Sequence, residues 1–186
     1  MNIALRNIIR RATLATVALL LSFGIAGAQI DLRISKSKIK SSLKRLDQLE
    51  LLAAQLNTAS GSTQAAADQL CQIAKQCKEL SESISHYINQ VNVLGTLQAS
   101  SEKVLQRTLL LTKLDSLSKE LASHKESISS IGSSIMSLSA SSSASNGTSS
   151  KALKSIGAKI LKIAEKEYLY QAMAVGNMIS ALGAMK

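Results

Sequence analysis

The chain has 186 residues, no proline, no tryptophan, 2% aromatic residues and a formal net charge of +10. Proline costs about 3 kcal/mol in a helix interior, so its absence lets helices run unbroken. The β-branched and aromatic runs that mark strands are missing, and any core must come from Leu, Ile and Ala, which suits thin helical seams.

The N-terminus has the pattern of an export signal. Arg6, Arg10 and Arg11 charge the first segment, residues 12–26 carry no charge, and Ala26-Gly27-Ala28 sets small residues at −3 and −1. Residues 1–28 are therefore read as a signal peptide, cleaved before Gln29. The apolar run falls short of the about 20 residues of a spanning helix, although an uncleaved anchor is the alternative. The expected location is the periplasm, the cell surface or the exterior. Removing residues 1–28 takes three arginines and no acid, leaving 19 basic and 12 acidic side chains, a net +7. Such a chain meets anionic lipid, cell-wall polymer or an acidic partner more readily than nucleic acid.

The first mature helix is predicted at about 31–57, where Leu32, Ile39, Leu46 and Ala53 recur at seven. Its opening half is basic on all sides (Arg33, Lys36, Lys38, Lys40, Lys44, Arg45), which reads as a solvated start or a patch for anionic surfaces. A turn follows at residues 57–62. The second helix, about 63–94, keeps a strict four-three rhythm: Ala66, Leu70, Ile73, Cys77, Leu80, Ile84, Tyr87, Val91, Leu94. Such a rhythm holds one seam on one side of a helix. Gly95 reads as its C-terminal stop, and Ser100 or Ser101 as the next N-cap.

The third helix, about 101–138, carries a second seam: Leu110, Leu114, Leu117, Leu121, His124, Ile128, Ile131, Ile135, Leu138. The triple Leu109-Leu110-Leu111 covers more than one face and predicts a further helix packed there. Gly132 would soften the helix. The interaction seam is centred on Leu70, Ile73, Leu80 and Ile84 of helix two and on Leu114, Leu117, Leu121 and Ile128 of helix three. Short connections make the two an antiparallel hairpin.

Residues 139–150 are nearly all Ser, Ala, Gly, Asn and Thr and read as a flexible linker. Asn146-Gly147-Thr148 matches a glycosylation sequon. Residues 151–186 read as a basic amphipathic helix followed by an apolar stretch. Lys151, Lys154, Lys159, Lys162 and Lys166 oppose a face that includes Ile156, Ile160 and Ile163. That segment either docks on the hairpin, binds a membrane or meets another subunit. Gly176 and Gly183, seven apart, suggest close-approach points on one face.

Little here suggests catalysis. Cys71 and Cys77 are six apart on one predicted helix, about 9 Å along its axis, too far for a disulfide within it. Cys77 reads as a seam residue and Cys71 as a candidate for a disulfide between chains. His124 is expected opposite residues 70–74, but a Cys/His metal site lacks ligands. No triad, phosphate loop or carboxylate pair is evident, so no enzyme activity, metal, cofactor or small-molecule substrate is expected.

The expected fold is all-α: an elongated antiparallel helical hairpin or three-helix coiled-coil bundle with a tethered C-terminal amphipathic helix. With its signal, Ala26-Gly27-Ala28-Gln29, and Gln/Leu/Ala helices such as Leu51-Leu52-Ala53-Ala54-Gln55-Leu56, the chain resembles the minor pilus components of bacterial type IV secretion and conjugation systems. The resemblance implies a periplasmic or pilus-associated role. The function expected is that of an exported, non-enzymatic structural or interaction protein, self-associating or bound to protein partners in an envelope apparatus or at a surface. The alternative is a membrane-active pore former that inserts its C-terminal helix.

Overall fold

A computed structural model describes residues 32–59, 63–141 and 147–185. The expected signal segment, its expected cleavage point and Asn146 of the sequon match lie outside the described residues. The described chain is four helices: α1 (Leu32–Ala59), α2 (Gln64–Thr96), α3 (Ser101–Ser141) and α4 (Gly147–Ala184). The fold is all-α, and the C-terminal segment is the fourth helix of an up-down-up-down bundle. Each helix packs on the next and α4 closes back on α1, while α2 touches α4 across the diagonal. The most extensive contact is between α3 and α4. At 41 residues, α3 is about 60 Å long.

In the serine-rich stretches hydroxyls donate back to the carbonyl four residues earlier, as those of Ser81, Ser127 and Ser137 do, which satisfies them within the helix. The linker expected at 139–150 is correspondingly narrowed. Residues 139–141 finish α3, residues 147–150 begin α4, and the Ser150 hydroxyl donates to the Ser139 carbonyl at 2.6 Å. At the α2–α3 turn, the Lys103 amide donates to Ser100 Oγ at 3.1 Å, the expected N-cap. Gly95 is no stop: α2 runs through it to Thr96. At the α1–α2 turn, Thr63 is buried and its hydroxyl donates to the Leu56 carbonyl at 2.5 Å.

The core divides into two clusters along the bundle axis. One holds Leu46 to Leu56 positions of α1 with Leu70, Ala74, Ile131, Ile135 and Ile160. The other holds Ile39 with Ile84, Ile88, Leu114, Leu117, Met178 and Leu182. The α3 seam is buried largely as its spacing predicts. On α2 the stripe is displaced by one residue at alternate steps, so Ala67, Ala74 and Ile88 are buried where Ala66, Ile73 and Tyr87 were expected. Smaller side chains at 67 and 74 let α1 come close.

Two glycines set the α3–α4 approach. A Cβ on Gly157 would lie 2.6 Å from Met136 Cγ and 2.9 Å from the Gly132 carbonyl oxygen. One on Gly132 would lie 2.9 Å from Leu161 Cγ. Gly132 therefore makes room for a neighbour rather than softening α3. Gly176 and Gly183 have open space instead, with nothing within 4 Å of an added Cβ, so the close approach expected there is not found.

Candidate functional site

A polar layer separates the two apolar clusters. Glu167 of α4 is buried and accepts from the Ser42 hydroxyl and from Arg45 Nε, both on α1. The Arg45 guanidinium also lies 4.7 Å from the centre of the Tyr170 ring, a cation–π placement. One turn along α4, buried Gln171 donates to Ser81 Oγ of α2 at 2.6 Å. Two further turns on, Asn177 donates to Ser35 Oγ at 3.0 Å. These pairs fix α4 in register with α1 and α2 at a single setting. The chemistry of the layer is structural, although Arg45 Nη2 is buried without a hydrogen-bond partner.

Cys77 borders this layer. Burial, helped by the negative charge of Glu167, pushes its thiol up to about 12, so it stays protonated and unreactive near neutral pH. Cys71 is half-buried against the first cluster rather than open at the surface. Both cysteines are free. Lys113 lies 5.9 Å from the Tyr87 ring centre, and this α2–α3 register sets His124 level with about residue 76, not with Cys71. The His124 Nδ1 is buried with no hydrogen-bond partner, and desolvation lowers its pKa against an opposing pull from Glu120. Among the described residues no three His, Cys, Asp or Glu side chains gather as a metal site.

The seam residues form the chain's own core. Leu70, Leu80, Ile84, Leu114, Leu117, Leu121 and Ile128 are buried, and Ile73 is half-buried. Ile73 reaches a groove between α2 and α3 that it lines with Gln69, Gln76 and Glu126. On α4, Ile156, Ile160 and Ile163 are buried in the first cluster, while Lys151, Lys154, Lys159, Lys162 and Lys166 are exposed. The apolar face that a membrane-inserting tail would use is thus already covered. No described helix is long and apolar enough to cross a membrane.

Two surfaces remain open. The first is the α2–α3 tip. Eight large apolar side chains are exposed among the described residues, and six of them lie toward this end: Ile34, Val93, Leu97, Val104, Leu105 and Leu109. Val93 and Leu109 share a groove of about 450 Å³ with Leu94, Leu110 and Lys113. The leucine triple explains part of this. Leu110 is buried and Leu111 half-buried in a cluster shared with Met178 and Leu182 of α4, the further helix expected at the triple, while Leu109 faces water. Periodicity marks which face of a helix is apolar, and Val104 and Leu105 fit no seam. That mismatch was the available signal.

The second is a groove of about 460 Å³ between α1 and α4, lined by Arg45, Lys159, Lys162, Lys166, Leu51 and Ile163 among others. Comparison with known proteins finds no matching family model, no matching curated protein and no matching solved structure. Function therefore has to be argued from these surfaces.

Proposed function

We propose that this chain is an exported, non-enzymatic structural and interaction protein, a subunit of an envelope-associated secretion or conjugation apparatus, that meets a neighbouring copy through its α2–α3 tip. The supporting observation is the concentration of exposed apolar side chains at that end of a bundle whose seams are otherwise closed. Contiguous exposed apolar patches on a soluble fold mark interaction sites. An end contact also suits a long, narrow subunit, because it extends the assembly along the bundle axis. The resemblance of the leader and the Gln/Leu/Ala helices to minor pilus components supports the same reading.

The test is light scattering of the purified protein over a wide concentration range, beside a Leu105→Ser/Leu109→Ser variant. Both side chains are exposed, so the variant should keep its melting temperature. The subunit reading expects concentration-dependent growth in mass that the variant loses. Equal masses for the two proteins at every concentration would overturn it.

A further inference from the structure

Positive charge is distributed unevenly around this bundle. α1 and α4 together carry eleven basic and four acidic side chains. α2 and α3 together carry seven of each. The net charge of the helices therefore sits entirely on the α1/α4 pair. One of its four acids, Glu167, is buried against Arg45, a pair that cancels, and two more, Asp47 and Glu50, share the single Lys78 of α2 at 2.7 and 2.8 Å.

Apolar side chains of the α1/α4 pair are placed among its cations. Ser35 against Asn177 and Arg45 against Glu167 define the antiparallel register. In that register Lys44 lies level with Leu169, and Leu51 level with about Lys162. Leu51 and Leu169 are 63% and 54% exposed, the two large exposed apolar side chains that do not belong to the tip. Leu51 lines the α1/α4 groove with Lys159, Lys162 and Lys166, and Leu169 follows Lys166 by three residues, one turn along the same side of α4.

We propose that the α1/α4 face docks side-on on an anionic phospholipid surface, with the bundle intact, its lysines on lipid phosphates and Leu51 and Leu169 in the headgroup boundary. Lysines near an anionic surface are attracted over about a Debye length, and short apolar side chains among them enter the interface without crossing it. The face is long and charged on one side only, which matches a plane better than a point ligand. This docking is independent of the tip, since it uses the side of the bundle and leaves the end free.

The test uses the purified protein in co-sedimentation with phosphatidylglycerol/phosphatidylcholine vesicles and with phosphatidylcholine vesicles alone. Excess binding to the anionic vesicles is expected, and it should fall with added salt. Each lysine removed should lower that excess about fivefold, so Lys159→Gln/Lys162→Gln/Lys166→Gln should lose about a hundredfold. The control Lys75→Gln/Lys113→Gln/Lys119→Gln removes the same charge from α2 and α3 and should lose much less. Leu51→Ser/Leu169→Ser should reduce the binding that survives salt. Equal losses for the two lysine triples would overturn the proposal and leave net charge alone. Stronger binding to soluble polyglutamate than to vesicles would overturn it in favour of an acidic protein partner. Loss of amide protection in α4 on vesicles would overturn it in favour of an inserting helix.

Discussion

The Glu167 carboxylate on α4 and the Ser42 hydroxyl on α1 meet in the middle of the bundle, and both residues are almost completely buried. A buried carboxylate is costly unless hydrogen bonds and a countercharge replace its water. Here Ser42 and Arg45 supply both from a single turn of α1. The pair is more informative about alignment than about stability, because a hydrophobic replacement of the same volume is often at least as stable.

Removing one partner should show this. Glu167→Leu leaves the Arg45 guanidinium half-buried without its anion and should lower unfolding free energy by about 2–3 kcal/mol, at the low end of the usual range because Arg45 is a quarter exposed. Arg45→Leu combined with Glu167→Leu should recover most of that loss. Urea denaturation of the two variants measures it. A double variant as unstable as the single one would mean that the pair itself contributes more than an apolar layer.

Gly157→Ala should destabilise the protein although it raises helix propensity. The new methyl meets a backbone oxygen at 2.9 Å as well as the Met136 side chain, so α3 and α4 must part. Overpacking of that kind costs about 1–3 kcal/mol. Gly176→Ala has open space and should stabilise by up to about 1 kcal/mol. Thermal melts should therefore shift in opposite directions. A shared direction would remove the close approach as the reason for Gly157.

The two thiols should differ in their reaction with a reagent. Cys77 is buried and its pKa is pushed up to about 12, whereas Cys71 is half-buried. With a thiol reagent near neutral pH, one cysteine per native chain should react quickly and the other only after unfolding. Cys71→Ser should remove the fast reaction. Any disulfide between chains formed without reductant should depend on Cys71. Equal reaction rates for the two thiols would contradict the burial of Cys77.

His124 should make stability fall on mild acidification. Its folded-state pKa lies below the ordinary 6.5 because burial disfavours the imidazolium, with Glu120 opposing. The unfolded chain then binds the proton more readily, so stability rises with pH across the interval between the two pKa values. The contribution is fully present above about 6.5 and is lost as pH drops toward the lower folded value. Urea midpoints at a series of pH values should show this slope, and His124→Gln should flatten it. An unchanged slope in the variant would assign the effect to other groups.

The seams made the helices legible from sequence, and the α3 seam also gave its buried face at Leu110, Leu114, Leu117 and Leu121. Three things were not legible. On α2, the four-three rhythm read equally well through Ala66, Ile73 and Tyr87, and only the approach of α1 selected Ala67, Ala74 and Ile88. Gly147-Thr148-Ser149-Ser150 suggested a linker by composition, which does not register the bond from the Ser150 hydroxyl to the Ser139 carbonyl. The basic residues of α1 looked scattered around their helix. Of them Arg45 lines the groove to which α4 brings Lys159, Lys162 and Lys166, a relation between segments more than a hundred residues apart, while Lys36 turns to Asn89 of α2.

The distance along the chain between Arg45 and Glu167 has a consequence for how the molecule is made. Synthesis, and any threading through a membrane, delivers the N-terminal end first. The α1–α2 hairpin emerges with Ser42, Arg45 and Ser81 still lacking their α4 partners. Until Glu167 and Gln171 arrive, α1 and α2 are aligned only by their own surface pairs, Lys78 with Asp47 and Glu50 and Lys36 with Asn89, and the buried polar layer is incomplete. The register is locked by the last helix to appear, so the chain stays threadable for most of its passage and becomes rigid near the end of it.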